Sequence, residues 1–337
     1  MTKRIAALLL ALTLLISAAP SALADREVVL TDEQEQRLHD EALAALEICI
    51  TEDMTDLEKL TVLHDWLCLN CDYGATLRGT TAYGAIVEGN AVCLGYAAAL
   101  AYLTELAGLD GAYTYSEEID HAWALVTLDG ERYFSDATWD DGKTARMGLV
   151  RHAYFLFDED NAEDTGHTGW DSVESVPGGE LEAVPWAEAR TRVIFQGDWC
   201  WYIDNDFNLW RCDRATWEME LLLTVDEAWP VLDKPGYIYA DTFSSLILMG
   251  DRLWFNTPYE ICSVAPDGTD LQTELAPDTT TEGCIYGLGV MDGVLRYSVA
   301  EAPDSILYDV IETDIDASSA WGCAPPGNDA ATGEIEA

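Results

Sequence analysis

Gly89-Asn90-Ala91-Val92-Cys93-Leu94-Gly95-Tyr96-Ala97 is followed by His121-Ala122-Trp123 and then by Tyr133-Phe134-Ser135-Asp136-Ala137-Thr138-Trp139-Asp140. A thiol, an imidazole and a carboxylate in that order, framed by aromatic and small residues, make a nucleophile, base and orienter set. An isolated cysteine is usually a small buried hydrophobe; its context sets Cys93 apart. Ala97-Ala98-Ala99-Leu100-Ala101 extends a helix from Cys93 to about Ala107, and Gly108 stops it as a C′ glycine. A sulfur at a helix start feels the positive end of the macrodipole, which favours thiolate. The same helix start offers backbone N–H groups to an oxyanion. Gly95, Ala97 and Ala98 are small enough to let other backbone approach.

Strands surround the other two residues. Ala112 to Ser116 reads as one, His121 to Leu128 as the next, and Glu131 to Thr138 as its return across a type I′ turn at Asp129-Gly130. With that turn, Leu128 faces Glu131 and Asp136 faces Trp123. Residues 121 and 123 share a face, so Asp136 is a diagonal neighbour of His121, roughly 7–8 Å away between backbones. The hairpin alone then delivers a His–Asp pair, to which the tertiary fold must bring Cys93.

Upstream, Thr31-Asp32-Glu33-Gln34 and Thr55-Asp56-Leu57-Glu58 are capping boxes that open helices over 31–50 and 55–71. Leu38, Leu43, Leu46 and Ile50 lie near helical spacing in the first, and Leu60, Leu63, Trp66 and Leu67 in the second. Residues 72–90, with Gly74, Gly79, Gly84 and Gly89, read as a loop. Helices followed by strands predict an α+β unit that ends between 170 and 188, where Pro177-Gly178-Gly179 and Pro185 break the pattern.

His121-Ala122-Trp123, Leu128-Asp129-Gly130, Tyr133 and Asp136-Ala137-Thr138-Trp139-Asp140 together resemble the transglutaminase-like superfamily, the circularly permuted relatives of papain. The likeness covers residues 55–170; Ala124 stands where asparagine is frequent, and Phe134 ends the tyrosine pair. The resemblance implies that Cys93 is the nucleophile, His121 the general base and then acid, and Asp136 the orienter that fixes the tautomer. It also implies an aromatic near the oxyanion at Tyr83, and a helix-packing role for His64 in Leu63-His64-Asp65-Trp66-Leu67. His152 and His167 read as structural, although relatives often carry a histidine where His167 precedes Trp170.

From about residue 190 tryptophan and tyrosine become frequent and helical periodicity ends. Segments 195–202, 248–255 and 290–297 look alike, offset by 53 and 42 residues. Each is a strand, a Gly/Asp turn and a strand with an aromatic near its end, at a spacing near that of propeller blades. Three copies are too few for a closed propeller of about 4–8 blades. The expectation is a transglutaminase-like domain over 25–185, a smaller all-β domain of blade-like repeats over 190–320, and a flexible acidic tail over 321–337.

Lys3 and Arg4, the apolar run Ile5 to Ile16 and the cleavage site Ala22-Leu23-Ala24 read as a signal peptide over 1–24. The mature chain is then secreted or extracytoplasmic, with no membrane insertion. Seventeen basic against 62 acidic residues give a net charge of −45. That surface repels nucleic acid and anionic membranes and keeps the protein soluble. Nine cysteines leave one over, naturally Cys93; the other eight allow on the order of a hundred pairings. Cys68-Leu69-Asn70-Cys71 reads as a structural or reduced pair at a helix end. Asp204, Asp206 and Asn208 have EF-hand spacing, but Leu209 and Ala215 replace the loop's glycine and closing glutamate. No metal or other cofactor is expected. The reading is an exported cysteine enzyme acting on peptide or protein amides, cell-wall peptides included. Hydrolysis is favoured over amine cross-linking. The competing class is a wall- or protein-binding scaffold with a vestigial triad.

Overall fold

The computed structural model describes residues 28–141, 148–171, 175–178, 184–225, 227, 229, 243–277, 283–300 and 308–321. The expected leader over 1–24 and the tail after Trp321 lie outside them. Both capping boxes form. At the head of α1 (Asp32–Cys49) the Thr31 hydroxyl accepts the Gln34 N–H at 3.3 Å, and Gln34 Oε1 accepts the Thr31 N–H at 3.0 Å. Thr55 and Glu58 do the same for α2 (Asp56–Asn70), at 3.3 and 2.8 Å. The buried face of α1 is Leu38, Ala42, Ala45 and Cys49, while Leu43 is 40% exposed. Five residues on from Leu38, Leu43 has turned off the stripe that steps of three and four maintain. α2 is buried continuously from Leu60 to Cys68, so its polar side chains must find partners inside the protein.

Residues 72–90 hold more order than a loop. They contain β1 (Asp72–Tyr73), α3 (Ala82–Ile86) and β2 (Asn90–Ala91), with β1 and β2 paired in parallel. Elements of two and five residues are too short to show a period, so the sequence does not announce them. α4 (Cys93–Leu106) starts at Cys93, and Gly108, at φ +85°, ends it as expected. Gly95 is required by close approach. A Cβ there would press on the carbonyl oxygen of Gly79, which accepts the Val92 N–H at 2.9 Å.

β3 (Gly111–Ser116), β4 (His121–Leu128) and β5 (Glu131–Ser135) follow in the expected register, with Leu128 opposite Glu131 and Ala124 opposite Ser135. Asp129 and Gly130 have φ of 53° and 86°, as a type I′ turn demands. The third strand stops three residues before the expected Thr138. Asp136 instead caps α5 (Ala137–Asp140), its carboxylate accepting the N–H groups of Thr138 and Trp139. β6 (Phe155–Phe157) completes a sheet of order β3-β4-β5-β6, and α6 (Glu159–Ala162) follows.

The remaining strands form three antiparallel meanders. The first is β7 (Ile194–Gln196), β8 (Trp199–Ile203), β9 (Asn208–Asp213) and β10 (Met219–Thr224). The second is β11 (Leu246–Met249), β12 (Arg252–Asn256), β13 (Ile261–Val264) and β14 (Gln272–Leu275). The third is β15 (Cys284–Met291), β16 (Val294–Ala300) and β17 (Asp309–Asp316). Each of the three similar sequence segments coincides with the first hairpin of one meander. Asp204, head of the EF-hand-like triplet, spends its carboxylate on its own turn. Its oxygens accept the N–H groups of Asp206 and Asn208 and the side chains of Asn208 and Trp210.

The helical part and the first meander share one hydrophobic cluster, in which Leu63, Trp66 and Leu67 meet Trp186, Phe195 and Tyr202. Arg214 adds bonds to Glu58 at 2.6 and 2.8 Å and to Asp53 at 2.6 Å. Inside, Asp65 Oδ1 accepts from His64 Nδ1 at 3.1 Å and His152 Nε2 at 2.8 Å, and Oδ2 accepts the Val193 N–H at 2.8 Å. His64 Nε2 lies 3.3 Å from Asp140 Oδ2. Burial opposes charge on Asp65, but the two histidines outweigh it and hold the carboxyl below its ordinary value. Burial likewise opposes the His64 cation, and Cys68, Asp140 and Asp65 together lift it well above 6.5.

Asp65→Ala strands two histidines and a backbone amide. It is expected to lower stability by about 3–5 kcal/mol in urea unfolding near pH ~6. A depressed carboxyl stabilises above its unfolded value and loses that contribution as pH falls through the folded one. The gap to wild type therefore narrows below pH 3.8. A raised histidine contributes fully below 6.5 and is lost as pH climbs through its folded value, so the gap is widest between 3.8 and 6.5. A gap independent of pH would show that the network carries no charge.

Candidate active site

Three separate elements bring the predicted residues together. Cys93 opens α4, His121 opens β4, and Asp136 stands between β5 and α5. The Cys93 thiol is half-buried, and it lies close enough to the His121 side chain to act on its charge. His121 Nε2 lies 2.6 Å from Asp136 Oδ2, which leaves Nδ1 for the sulfur. The imidazole stacks on Trp139 at 4.7 Å between centroids and 13° between planes. This stacking fixes the plane in which its two nitrogens work.

Asp136 is saturated. Oδ1 accepts the N–H groups of Thr138 and Trp139 at 2.9 and 3.3 Å. Oδ2 accepts His121 and also His167 Nε2, at 3.0 Å. Burial disfavours the carboxylate, but the bonds from His121 and His167 reverse that and lower its pKa. His121 shows the converse. Burial works against the cation, while the bonds to Asp136 and to Cys93 lift its pKa from 6.5 to about 9. These shifts suit an imidazolium held by an ionised carboxylate.

His167 has a larger part than the sequence suggested. It is fully buried, with Nδ1 2.9 Å from Thr165 Oγ1, and its ring is enclosed by Trp123, Trp139, Tyr154 and Phe157. It positions Asp136, which positions His121. Its place before Trp170 was the available signal, but only the fold shows which carboxylate it meets. His64 and His152 belong to the Asp65 network instead.

Tyr83 is buried in the helical core, with the Arg78 guanidinium 5.4 Å from the centre of its ring. The tyrosine that the fold brings toward Cys93 is Tyr73, at the end of β1, which pairs with Ala91 two residues before the cysteine. Twenty residues of sequence separate the two, and only the β1–β2 pairing makes them neighbours. Cys68 and Cys71 are buried thiols rather than a redox pair; desolvation pushes Cys68 up to about 12 and Cys71 higher still. The candidate ligand atoms of His121, Asp136 and His167 lie within 4.8 Å of one another, as do those of His64, Asp65 and His152. In both sets the carboxylate already receives both imidazoles, so a metal would have to displace bonds that are in place.

No family model matches the chain, and no curated protein matches it. Solved structures similar to parts of it include one described as a TGase, at 16% identity and TM-score 0.28, over 34% of this chain and 35% of that one. A candidate cysteine protease from Cytophaga hutchinsonii matches at 20% identity and TM-score 0.26, over 32% and 43%. PorZ, a surface component of the type-IX secretion system of Porphyromonas gingivalis, matches at 14% and 0.23, over 62% and 22%. The chain thus spans under half the length of each of these structures. No helix among the described residues is long and apolar enough to cross a membrane.

The geometry fixes one titration. Removing the anion in Asp136→Asn leaves burial, the largest influence on His121, with less to oppose it. The imidazole pKa is then expected to fall from about 9 toward or below 6.5 in an NMR titration. A value that stays near 9 would mean that Asp136 does not hold the cation.

Proposed function

We propose that this protein is an exported cysteine acyl-transfer enzyme acting on peptide or protein amides through Cys93, His121 and Asp136. The observation that carries the reading is the position of His121. One ring nitrogen faces Asp136 at 2.6 Å, and the other is left for the Cys93 thiol. Within this reading the first part of the chain is a transglutaminase-like, circularly permuted papain-like domain. The three meanders are blade-like units that bind or position the substrate.

In the reaction the Cys93 thiolate, whose proton His121 already holds, attacks the amide carbon. The carbonyl oxygen becomes an oxyanion, held by backbone N–H groups at the start of α4. The imidazolium gives its proton to the departing nitrogen as the C–N bond breaks, leaving a thioester on Cys93. His121 then takes a proton from water as its oxygen attacks the thioester, and returns a proton to sulfur as the acid leaves. Hydrolysis is favoured over amine cross-linking because Cys93 is half-exposed and its neighbour Tyr73 is 59% exposed, so water reaches the thioester. Asp136 stays ionised throughout, as its lowered pKa and four donors require.

Iodoacetamide labelling across pH, mapped by mass spectrometry, tests the pair. Cys93 is expected to react rapidly well below pH ~8, and His121→Ala to abolish that low-pH reactivity. A Cys93 that labels no faster than an ordinary thiol, with or without His121, would leave only a binding scaffold.

A further inference from the structure

α5 is four residues long and follows directly on Asp136, so its place must be set by its neighbours. α2 supplies two ties. Cys68 donates its thiol hydrogen to the Ala137 carbonyl at 3.4 Å, and His64 Nε2 lies 3.3 Å from Asp140 Oδ2. The two residues stand one turn apart on α2 and hold the first and last residues of α5. Neither tie reaches α4, the helix that carries the nucleophile. Tyr96 supplies that link.

Tyr96 follows Cys93 by three residues, so both side chains leave the first turn of α4 on one side. Its side chain is buried. The hydroxyl oxygen lies 2.6 Å from the Cys71 carbonyl oxygen, at the C-cap of α2, and 2.7 Å from Asp141 Oδ2, at the C-cap of α5. Burial and then the Asp141 charge keep the phenol protonated, so its hydrogen is there for these two acceptors. A phenylalanine would fill the same space without the cost of burying a hydroxyl. Asp141 is itself fixed. Its N–H bonds the Ala137 carbonyl at 2.9 Å, and its own carbonyl accepts Arg151 Nη2 at 2.9 Å.

The contacts close a ring around the site. It runs from Cys93 along α4 to Tyr96, across the hydroxyl to Asp141, back along α5 to Asp136, and across 2.6 Å to His121. The gap that remains is the one between imidazole and sulfur. Opposite that gap the ring depends on one hydrogen bond, from Tyr96 to Asp141. Without it, α4 and α5 are free to shift against one another, and the sulfur moves while the His121–Asp136 bond stays intact. Resting on the acyl-transfer reading, we propose that Tyr96 is a positioning residue of the site: its hydroxyl, bonded to Asp141, couples the helix of the nucleophile to the helix of the orienter and so sets where the Cys93 sulfur meets His121.

Iodoacetamide labelling of Cys93 across pH reads that placement. Tyr96→Phe keeps the ring and removes the bond. Labelling at pH ~6.5 is expected to slow roughly tenfold, the worth of one hydrogen bond to a charged group. The pH profile should move up by about one unit. Tyr102→Phe removes a hydroxyl from the same helix whose partner is His39, at 3.3 Å, and should leave the profile in place. Asp141→Ala breaks the bond from the other side. It should give the shift of Tyr96→Phe, and the double variant no more than either alone. Asp141→Asn keeps an acceptor oxygen and should label like the wild type. If Tyr96→Phe does not fold, Asp141→Ala, at a partly exposed position, carries the same test. A profile unmoved by Tyr96→Phe and Asp141→Ala overturns the coupling. An equal shift in Tyr102→Phe also overturns it, since that marks a general loosening of α4. A wild-type Cys93 that labels no faster than an ordinary thiol below pH ~8 sinks the acyl-transfer reading itself. A fast Cys93 indifferent to Tyr96 sinks only the coupling.

Discussion

The Asp136 carboxylate is the constraint on which the site depends. Two backbone amides of α5 fix one of its oxygens, and two histidines share the other. Such a group cannot rotate without breaking several charge-assisted bonds, each stronger than a neutral one. Its position therefore sets the plane of His121, and the imidazole sets where the sulfur must be. The same carboxylate ends β5 early, because by accepting the Thr138 and Trp139 N–H groups it turns the chain into α5 at Ala137. Local structure and the geometry of the candidate site are here one event.

α5 has four residues and no stability of its own. It is held at both ends by buried acids. Asp136 begins it, and Asp140 closes it, accepting the Tyr154 N–H at 3.1 Å and facing His64 at 3.3 Å. Burial pushes the Asp140 pKa up, and His64 opposes that push. Through Asp140 the Asp136 carboxylate is tied to the His64–Asp65–His152 network, and through Asp65 to the Val193 amide ahead of the first meander. The β-rich half thus reaches the site by a continuous path of polar contacts and packed side chains.

Much of this was legible in the sequence where a rule is local. The capping boxes at Thr31 and Thr55, the helix start at Cys93, the I′ turn at Asp129-Gly130 and the register that sets Asp136 beside His121 each depend on a few adjacent residues. The three hairpins that open the meanders were legible for the same reason. What the sequence withheld depends on contacts between distant segments. β1 and β2 are two residues each, and only their pairing brings Tyr73 to Cys93. The bond from His167 to Asp136 spans 31 positions, and that from His152 to Asp65 spans 87. Tyr83 lies in α3, a helix too short to show a period, so its burial could not be read in advance.

The overall charge sharpens what the site has to achieve. A chain at −45 disfavours a further anion, so the mean field works against a Cys93 thiolate. Exposed carboxylates farther than about 8–10 Å are largely screened at physiological salt. Only near and buried charges then decide the matter. Asp136 is one of these, but it acts on the sulfur through the imidazolium it stabilises, and His121 at about 9 keeps that cation across neutral pH. The start of α4 adds partial positive charge from its first amides. Under an acidic surface, the aromatic enclosure of His121 and His167 keeps the imidazole and the Asp136 anion in a small, poorly screened volume.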